Sequence, residues 1–407
     1  MGSLATIQIA NAVSPLIIYP YVLTVVGAEG YADIALAEAV ALFLLTFVLY
    51  SFDIDAVAAV VGLSVRQDNP RISRTFSEIL LVRVGFYFIG LCVLQAVILI
   101  INPRLSLLVL QWSLVSLSYA VQPNWLFQAL EWNLPLAVVV LISRLGAVAT
   151  IVFSIHQPED HVLVPGIIGA WYFASAVVAA GYAVRRFDLT LTRPSLSTLC
   201  GLIWHGKEVF LSNVGITLYR DVNVLLLGAL GVPSAGIAAY SLAEKLVKAI
   251  QASIRPLNQF FFPRALTVAK DSVKPSRTAF IRILKVTLPQ VAVVLCVIVG
   301  LFSGYAILGS HIPALGRIDN VGQVIGLAAT MSVAIIPGVA NFMFGSAGLN
   351  ALGARRYLLV AVVVVGLASV ASNCVLIPLM GAAGSAICFV LAECLLLALV
   401  ARRYFVV

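Results

Sequence analysis

The side chains with chemistry to offer in this sequence are cations: Lys245, Lys248 and Arg255, inside GIAAYSLAEKLVKAIQASIRPLNQFFFPR over residues 236–264. Wound as an α-helix at about 100° per residue, this stretch gathers Ser241, Glu244, Lys245, Lys248, Gln251, Arg255, Asn258 and Gln259 on one face. Leu, Ile, Ala and Phe fill the other. Ammonium and guanidinium donors aligned in this way make charge-assisted hydrogen bonds to anions, phosphate above all. Catalytic signatures are missing: there is no HExxH, GxSxG or P-loop, no CxxC among the six cysteines and no ligand spacing among the four histidines. No catalytic residue, metal or cofactor is therefore expected. Asp53 and Asp55 form a DxD, but they fall on opposite sides of a helix and read as a solvated helix end rather than a metal or glycosyl-transfer site.

The elements that must position these cations are membrane helices. Of 407 residues, 62% are hydrophobic and 10% charged, and the mean hydropathy is +1.07. So few polar side chains cannot cover a water-facing surface. A Lys or Arg facing lipid near the bilayer centre costs about 2.5–3.5 kcal/mol, so aligned cations must face an interior cavity or partners. Runs long enough to cross about 30 Å of hydrocarbon fall at 4–27, 34–62, 79–101, 105–128, 133–155, 163–184, 201–231, 233–262, 280–308, 321–348, 355–378 and 381–403, predicting twelve spans. The first run, from Leu4, has no basic leader or cleavage site and is expected to stay in place. The connections are too short for an extramembrane catalytic domain.

Charge sets orientation. Arg66, Arg71 and Arg74, Arg185, Arg186 and Arg193, Lys270, Lys274 and Arg277, Arg355 and Arg356, and the tail Arg402 and Arg403 fall on one side. Only Arg104 and Arg317 fall on the other, where Glu159 and Asp160 stand beside His156 and His161. Both termini are thus expected in the cytoplasm. Trp125, Trp132 and Trp204 at the inner interface, with Trp112 and Trp171 nearer the outer one, read as an aromatic belt. The basic segment 185–198 divides an N-terminal lobe, 1–184, from a C-terminal lobe, 199–407, with six spans each. Residues 1–198 hold 9 basic and 11 acidic side chains and residues 199–407 hold 16 and 6, so the second half carries the positive charge. VVGAEGYADIALAEA (25–39) and LLGALGVPSAGIAAYSLAEK (226–245) are weakly alike, each ending in Leu-Ala-Glu, and two parallel six-span halves follow.

Other charges also lie at membrane depth. Counting about 1.5 Å per residue from the turn at Gly231 and Pro233 puts Arg220 and Asp221 level with Glu244 and Lys245. Asp221 with Lys245, or Arg220 with Glu244, then reads equally well as an ion pair locking a hairpin. Lys248 and Arg255 have no evident partner on this count. Arg144 adds a cation from the first half, Glu38 and Glu393 are carboxylates near the midplane, and Pro15, Pro20 and Pro256 are static kinks or hinges. A cationic cavity without catalytic motifs reads as a transporter of an anion, and so wide a polar face favours a large lipid-linked or polyanionic cargo.

Several segments resemble the O-antigen and polysaccharide-repeat-unit flippases of the Wzx/RfbX type, within the superfamily that also holds the lipid II flippase and the MATE exporters. They are SPLIIYPYVLTVVGAEGYADI (14–34) with Pro20 and Tyr21, PNWLFQALE (123–131) with Pro123, Trp125, Gln128 and Glu131, QPEDH (157–161), and 210–264 with Leu218-Tyr219, Asn223, Leu227-Gly228, Tyr240-Ser241, Lys245, Pro256, Gln259 and Phe262-Pro263. Thr24, Ala129 and Ser51-Phe52-Asp53 depart from that pattern. The resemblance implies an all-α membrane protein of two six-helix lobes forming a V around a central cationic cavity. It implies translocation of an undecaprenyl-diphosphate-linked oligosaccharide across the inner membrane, among membrane lipids and other polysaccharide-assembly membrane proteins, with no nucleic acid. Substrate would be held by Lys245, Lys248, Arg255, Arg144 and Arg220, with Asp221, Glu244 and Glu38 as coupling or ion-pair carboxylates. Two other classes stay open: a MATE-like ion-coupled antiporter, which wants midplane carboxylates, and an integral-membrane polymerase or ligase, which wants a large outer loop. A glycan-assembly scaffold would need no buried cations.

Overall fold

The computed structural model describes residues 2–270, 275–308 and 320–406; Lys274 and Arg317 lie outside the described residues. No strand occurs among them. Helix α1, Gly2–Leu49, runs for 48 residues, about 72 Å at 1.5 Å per residue and more than twice the hydrocarbon thickness. It cannot be one crossing. Gly27, at φ 73° and ψ 179°, breaks it into two arms, using a backbone conformation that costs a side-chain-bearing residue but not glycine. A second break at Tyr50 (φ 48°) separates α2, Phe52–Val60.

Then follow α3 (Asn69–Ile101), which starts with a proline in its first turn, α4 (Ser106–Val121), α5 (Asn124–Ala129), α6 (Asn133–Ser154), α7 (Leu163–Arg186), α8 (Leu196–Arg220), α9 (Asn223–Ala229) and α10 (Ser234–Lys270). The rest is α11 (Arg277–Leu308), α12 (Val321–Ser332), α13 (Ile335–Asn341), a π-helical segment Phe342–Leu349, α14 (Arg355–Met380) and α15 (Ala382–Phe405).

Among the described residues, 9 helical stretches are long and apolar enough to cross a membrane, the first of them, Thr6–Val60, spanning two of the predicted runs. The stretches containing α8 and α10 are not among the nine, so twelve apolar spans overstates what hydropathy alone supports. The reason is physical: both helices carry charges that lipid would not tolerate.

The chain divides into two compact units, Met1–Asn213 and Val214–Val407, and the division falls inside α8. In the first unit α1 packs on α3, α4 and α6, and α4 on α7. Its core is aromatic, with Phe52, Phe76, Trp125, Phe127 and Phe187 in one cluster. The segment between α7 and α8 is pinned to α3: Asn69 Nδ2 donates to the Phe187 carbonyl at 2.7 Å, and the Thr190 and Thr192 amides donate to Ser73 Oγ and Ser77 Oγ at 3.1 and 2.9 Å. In the second unit α14 packs on α15, and α10 on α11 and α12, around Ile283, Met343, Phe344, Val365 and Tyr404. Asn258 and Gln290 are hydrogen-bonded between α10 and α11.

The aromatic belt needs correction. Trp125 and Trp112 are buried and belong to the protein interior, because neighbouring helices cover them. Trp132 and Trp204 are exposed, each beneath a cation, Arg186 at 4.7 Å and Lys207 at 3.2 Å from the ring centre.

Candidate functional site

In the second unit ionised residues form two sets, at the end of α8 and in the first half of α10, with Glu393 contributed by α15. Arg220 Nε and Nη2 donate to Glu393 Oε1 at 3.0 and 2.6 Å. The other oxygen of Glu393 accepts from Asn341 Nδ2 at 2.8 Å, so a carboxylate only 1% exposed has partners on both oxygens. Lys248 Nζ lies 3.0 Å from Asp221 Oδ1 and 2.8 Å from Glu244 Oε1.

Two pairings differ from the expected reading. Lys248, read from the sequence as lacking a partner, has two, one of them Glu244 four positions earlier on the same helix, and Arg220 is neutralised by Glu393 rather than by Glu244. The interruption at Asp221–Val222 between α8 and α9 breaks the uniform rise assumed in counting from the turn. The charge balance changes with it. Arg220 and Lys248 meet Asp221, Glu244 and Glu393, two cations against three carboxylates, so this part of the site is not the excess of positive charge that the stripe alone implies. Lys245 is half-buried and Arg255 exposed, while Ser241 and Glu244 are buried. Lys248, with its side chain 40% exposed, keeps its contact with the surroundings. An anion reaching it must compete with the two carboxylates.

In the first unit the structure unites residues that the sequence left apart. Tyr19 and Glu38 from the two arms of α1, Trp112 and Tyr119 from α4, and Tyr172 from α7 border one cavity of about 170 Å³. The break at Gly27 folds the second arm of α1 back, which is how residues 19 and 38 come to share a wall. Arg144, on α6, stacks over Tyr172 with its guanidinium carbon 3.2 Å from the ring centre. Its Nε donates to Asn11 Oδ1 at 2.9 Å and its Nη1 to Ser143 Oγ at 3.2 Å. Arg144 is 4% exposed and also borders an aliphatic cavity of about 210 Å³.

The remaining motif residues lie apart from these two sites. Tyr21 Oη donates to the Ile155 carbonyl at 2.7 Å, tying α1, beside Pro20, to the end of α6. Of the PNWLFQALE run, Trp125, Leu126, Phe127 and Ala129 enter the core, Pro123 precedes α5, and Gln128 and Glu131 face outward. The QPEDH turn holds itself together, Asp160 Oδ2 accepting from the His156 and Gln157 amides at 2.8 and 2.9 Å.

A further pair escaped the sequence reading. Arg83, 1% exposed, holds Asp53 at 2.7 Å, so Asp53 is an ion-pair member and not simply a solvated helix end. The signal was present as a lone cation in the apolar run LLVRVGFYF, where the lipid-exposure cost applied to the stripe applies equally.

Comparison with known proteins places these features in a lineage. The profile of the polysaccharide biosynthesis protein family matches residues 1–267. The chain is 23% identical over 274 residues to the putative O-antigen transporter of Escherichia coli (strain K12), covering 67% of this chain and 65% of that protein. It is 26% identical over 258 residues to that of Shigella dysenteriae, covering 63% and 64%. The match thus spans just under two thirds of the length of these curated relatives. Among solved structures, an inward-facing multidrug resistance MATE family transporter of the MOP superfamily superposes with a TM-score of 0.66 at 13% identity, over 99% of this chain and 96% of that one. The inward closed lipid II flippase MurJ gives 0.60 at 12%, over 97% and 86%. At such identities the likeness is one of fold.

Proposed function

We propose a transport function for this chain, which belongs to the polysaccharide biosynthesis protein family: it carries an undecaprenyl-diphosphate-linked oligosaccharide, an O-antigen or exopolysaccharide repeat unit, from the inner to the outer leaflet of the bacterial inner membrane. The relatives bearing the name O-antigen transporter support the cargo class, and the fold shared with MATE transporters and the lipid II flippase supports movement by alternating access of two lobes, 1–184 and 199–407, joined by 185–198. Other polysaccharide-assembly membrane proteins are the natural partners of such a carrier.

The observation that carries this reading is Lys248, held between Asp221 and Glu244 beside the Arg220–Glu393 pair. A protein of apolar helices pays several kcal/mol to keep ionised groups out of water, and a cation shared by two carboxylates is a site at which a diphosphate can take the place of one of them. Lys245 and Arg255, on the same helix, and Arg220 extend the set of donors. Transport in this form makes and breaks no covalent bond, so the chain acts without enzymatic chemistry.

The test is genetic and chemical. In a host lacking the chain, lipid-linked repeat units should accumulate unpolymerised, and the wild-type chain should restore surface polysaccharide. Lys248→Ala should not restore it, at equal protein level in the membrane. Normal export by that variant removes Lys248 from the mechanism, and absence of accumulation in the deletion removes the function itself. A MATE-like antiporter is the second reading, favoured by Glu38 at the cavity of the first unit; it predicts extrusion of an organic cation with normal surface polysaccharide in the deletion strain.

A further inference from the structure

The cavity of the first unit is built for one six-membered polar ring. At about 170 Å³ it is close to the ~150 Å³ that admits a benzene ring in an engineered protein interior, so a single ring fits and an oligosaccharide does not. Among aliphatic side chains and Ser14 and Ser116, its wall carries four aromatic rings and one carboxylate: Tyr19, Trp112, Tyr119 and Tyr172 with Glu38. Trp112 and Tyr119 lie seven residues apart on α4, two turns along one face, and so present rings at two levels of the same wall.

Two of the rings are held in place by their neighbours. Tyr19 meets Tyr31 edge to face, with centroids 6.0 Å apart. Tyr172 is clamped by Arg144, itself anchored on Asn11 and Ser143. Rigid aromatic walls lose little entropy on binding, and a carboxylate accepts strong hydrogen bonds from hydroxyl groups.

Charge discriminates between occupants. Aromatic walls with a carboxylate also suit an organic cation, but here a guanidinium already sits on one of the rings, 3.2 Å from the centre of Tyr172. Arg144 and Glu38 balance to zero. A cation entering the cavity would meet the positive charge of Arg144 through Tyr172, whereas a neutral ring bearing hydroxyl groups meets apolar faces and one acceptor. A purely hydrocarbon occupant, in turn, would bring no donor to the Glu38 carboxylate, whose two oxygens together accept several hydrogen bonds.

We propose that this cavity is a monosaccharide subsite: it receives one neutral pyranose of the lipid-linked glycan, with apolar C–H faces against the Trp112 and Tyr119 rings and hydroxyl groups donating to Glu38. This rests on the transport reading above and adds to it a recognition site in the first unit for the sugar, separate from the anion-binding residues of the second.

The experiment uses the purified full-length protein in lipid nanodiscs, with saturation-transfer NMR and tryptophan fluorescence against glucose, galactose, rhamnose, N-acetylglucosamine and, as the rival, tetramethylammonium. At least one neutral sugar should bind the wild type, and Glu38→Gln and Tyr119→Ala should each weaken it by about tenfold, the loss expected of one charge-assisted hydrogen bond or ring contact. Trp112→Phe, which keeps an apolar ring, should retain binding and show whether the cavity stays folded. In cells, Glu38→Gln and Tyr119→Ala should lower export of the native glycan, while Lys248→Ala abolishes it without changing sugar binding. Binding of tetramethylammonium in place of every sugar overturns the subsite. So does sugar binding that Glu38→Gln and Tyr119→Ala leave unchanged, or full export by both variants while Lys248→Ala remains inactive. That last pattern spares the transport function, whereas sugar binding in a chain whose deletion leaves export normal spares the subsite alone.

Discussion

The residues that matter most in this protein are those whose charge is neutralised by something far away in the chain. Glu393 is buried and takes two hydrogen bonds from Arg220 and one from Asn341. Removing one member of such a pair strands the other, which costs about 3–5 kcal/mol, whereas replacing both by apolar side chains of similar size is often nearly neutral. Glu393→Gln should therefore lower the thermal unfolding temperature of the detergent-solubilised protein clearly, and the double variant Arg220→Met with Glu393→Leu should recover most of the loss. A double variant no better than the single one would mean that the pair is not what holds these helices together. Lys248 follows a different rule. It is bound to two carboxylates, so Lys248→Ala leaves Asp221 and Glu244 without their shared cation, while Lys248→Arg keeps the charge and should keep the protein in the membrane at its normal level.

At the scale of the element, two glycines show how backbone conformation and close approach shape the helices. Gly27 has φ +73° with nothing within 4 Å of an added Cβ and ψ 179°, so the penalty of Gly27→Ala is conformational, about 1–3 kcal/mol for a region of backbone space essentially reserved for glycine. Gly85, within α3, also faces open space but lies in ordinary helix, and Gly85→Ala should stabilise by about 0.5–1 kcal/mol. Opposite signs in a thermal melt of the two variants are the expected result. Equal effects would place the break in α1 elsewhere than at Gly27. Gly366 acts through space: a Cβ there would lie 2.7 Å from the Gly215 carbonyl oxygen, so α8 and α14 cross backbone to backbone. Gly366→Ala must push them apart, an overpacking cost of about 1–3 kcal/mol.

For the molecule as a whole, hydropathy and charge settle different things. The nine apolar stretches say that the chain lives in a membrane. Arg71 and Arg74, Arg185 and Arg186, Arg355 and Arg356, and Arg402 and Arg403 lie near the ends of α3, α7, α14 and α15, and we propose from the positive-inside bias that these ends, with Arg66, are cytoplasmic. A fluorescent-protein fusion after the last residue should fluoresce, and an alkaline phosphatase fusion at the same point should be inactive. The reverse would invert the topology and with it the leaflet from which cargo is taken.

Membrane residence, helical class and the polar face of α10 were legible in the amino-acid order alone, because each depends on the neighbours of a residue within a few turns. Hydropathy is summed along the chain, and a stripe repeats every 3.6 residues. The ion pairs between helices were not. Arg220 and Glu393 are separated by 173 positions, and the Lys248–Asp221 pair forms across a two-residue interruption between α8 and α9 that no count at constant rise anticipates; only Glu244, four positions before Lys248 on one helix, was within reach of periodicity. The cavity was less legible still: it draws residues 19 and 38 from one broken helix and 112, 119 and 172 from two others. Which side chain neutralises another, and which rings enclose a common space, are set by how helices pack side by side, and local periodicity holds no record of that.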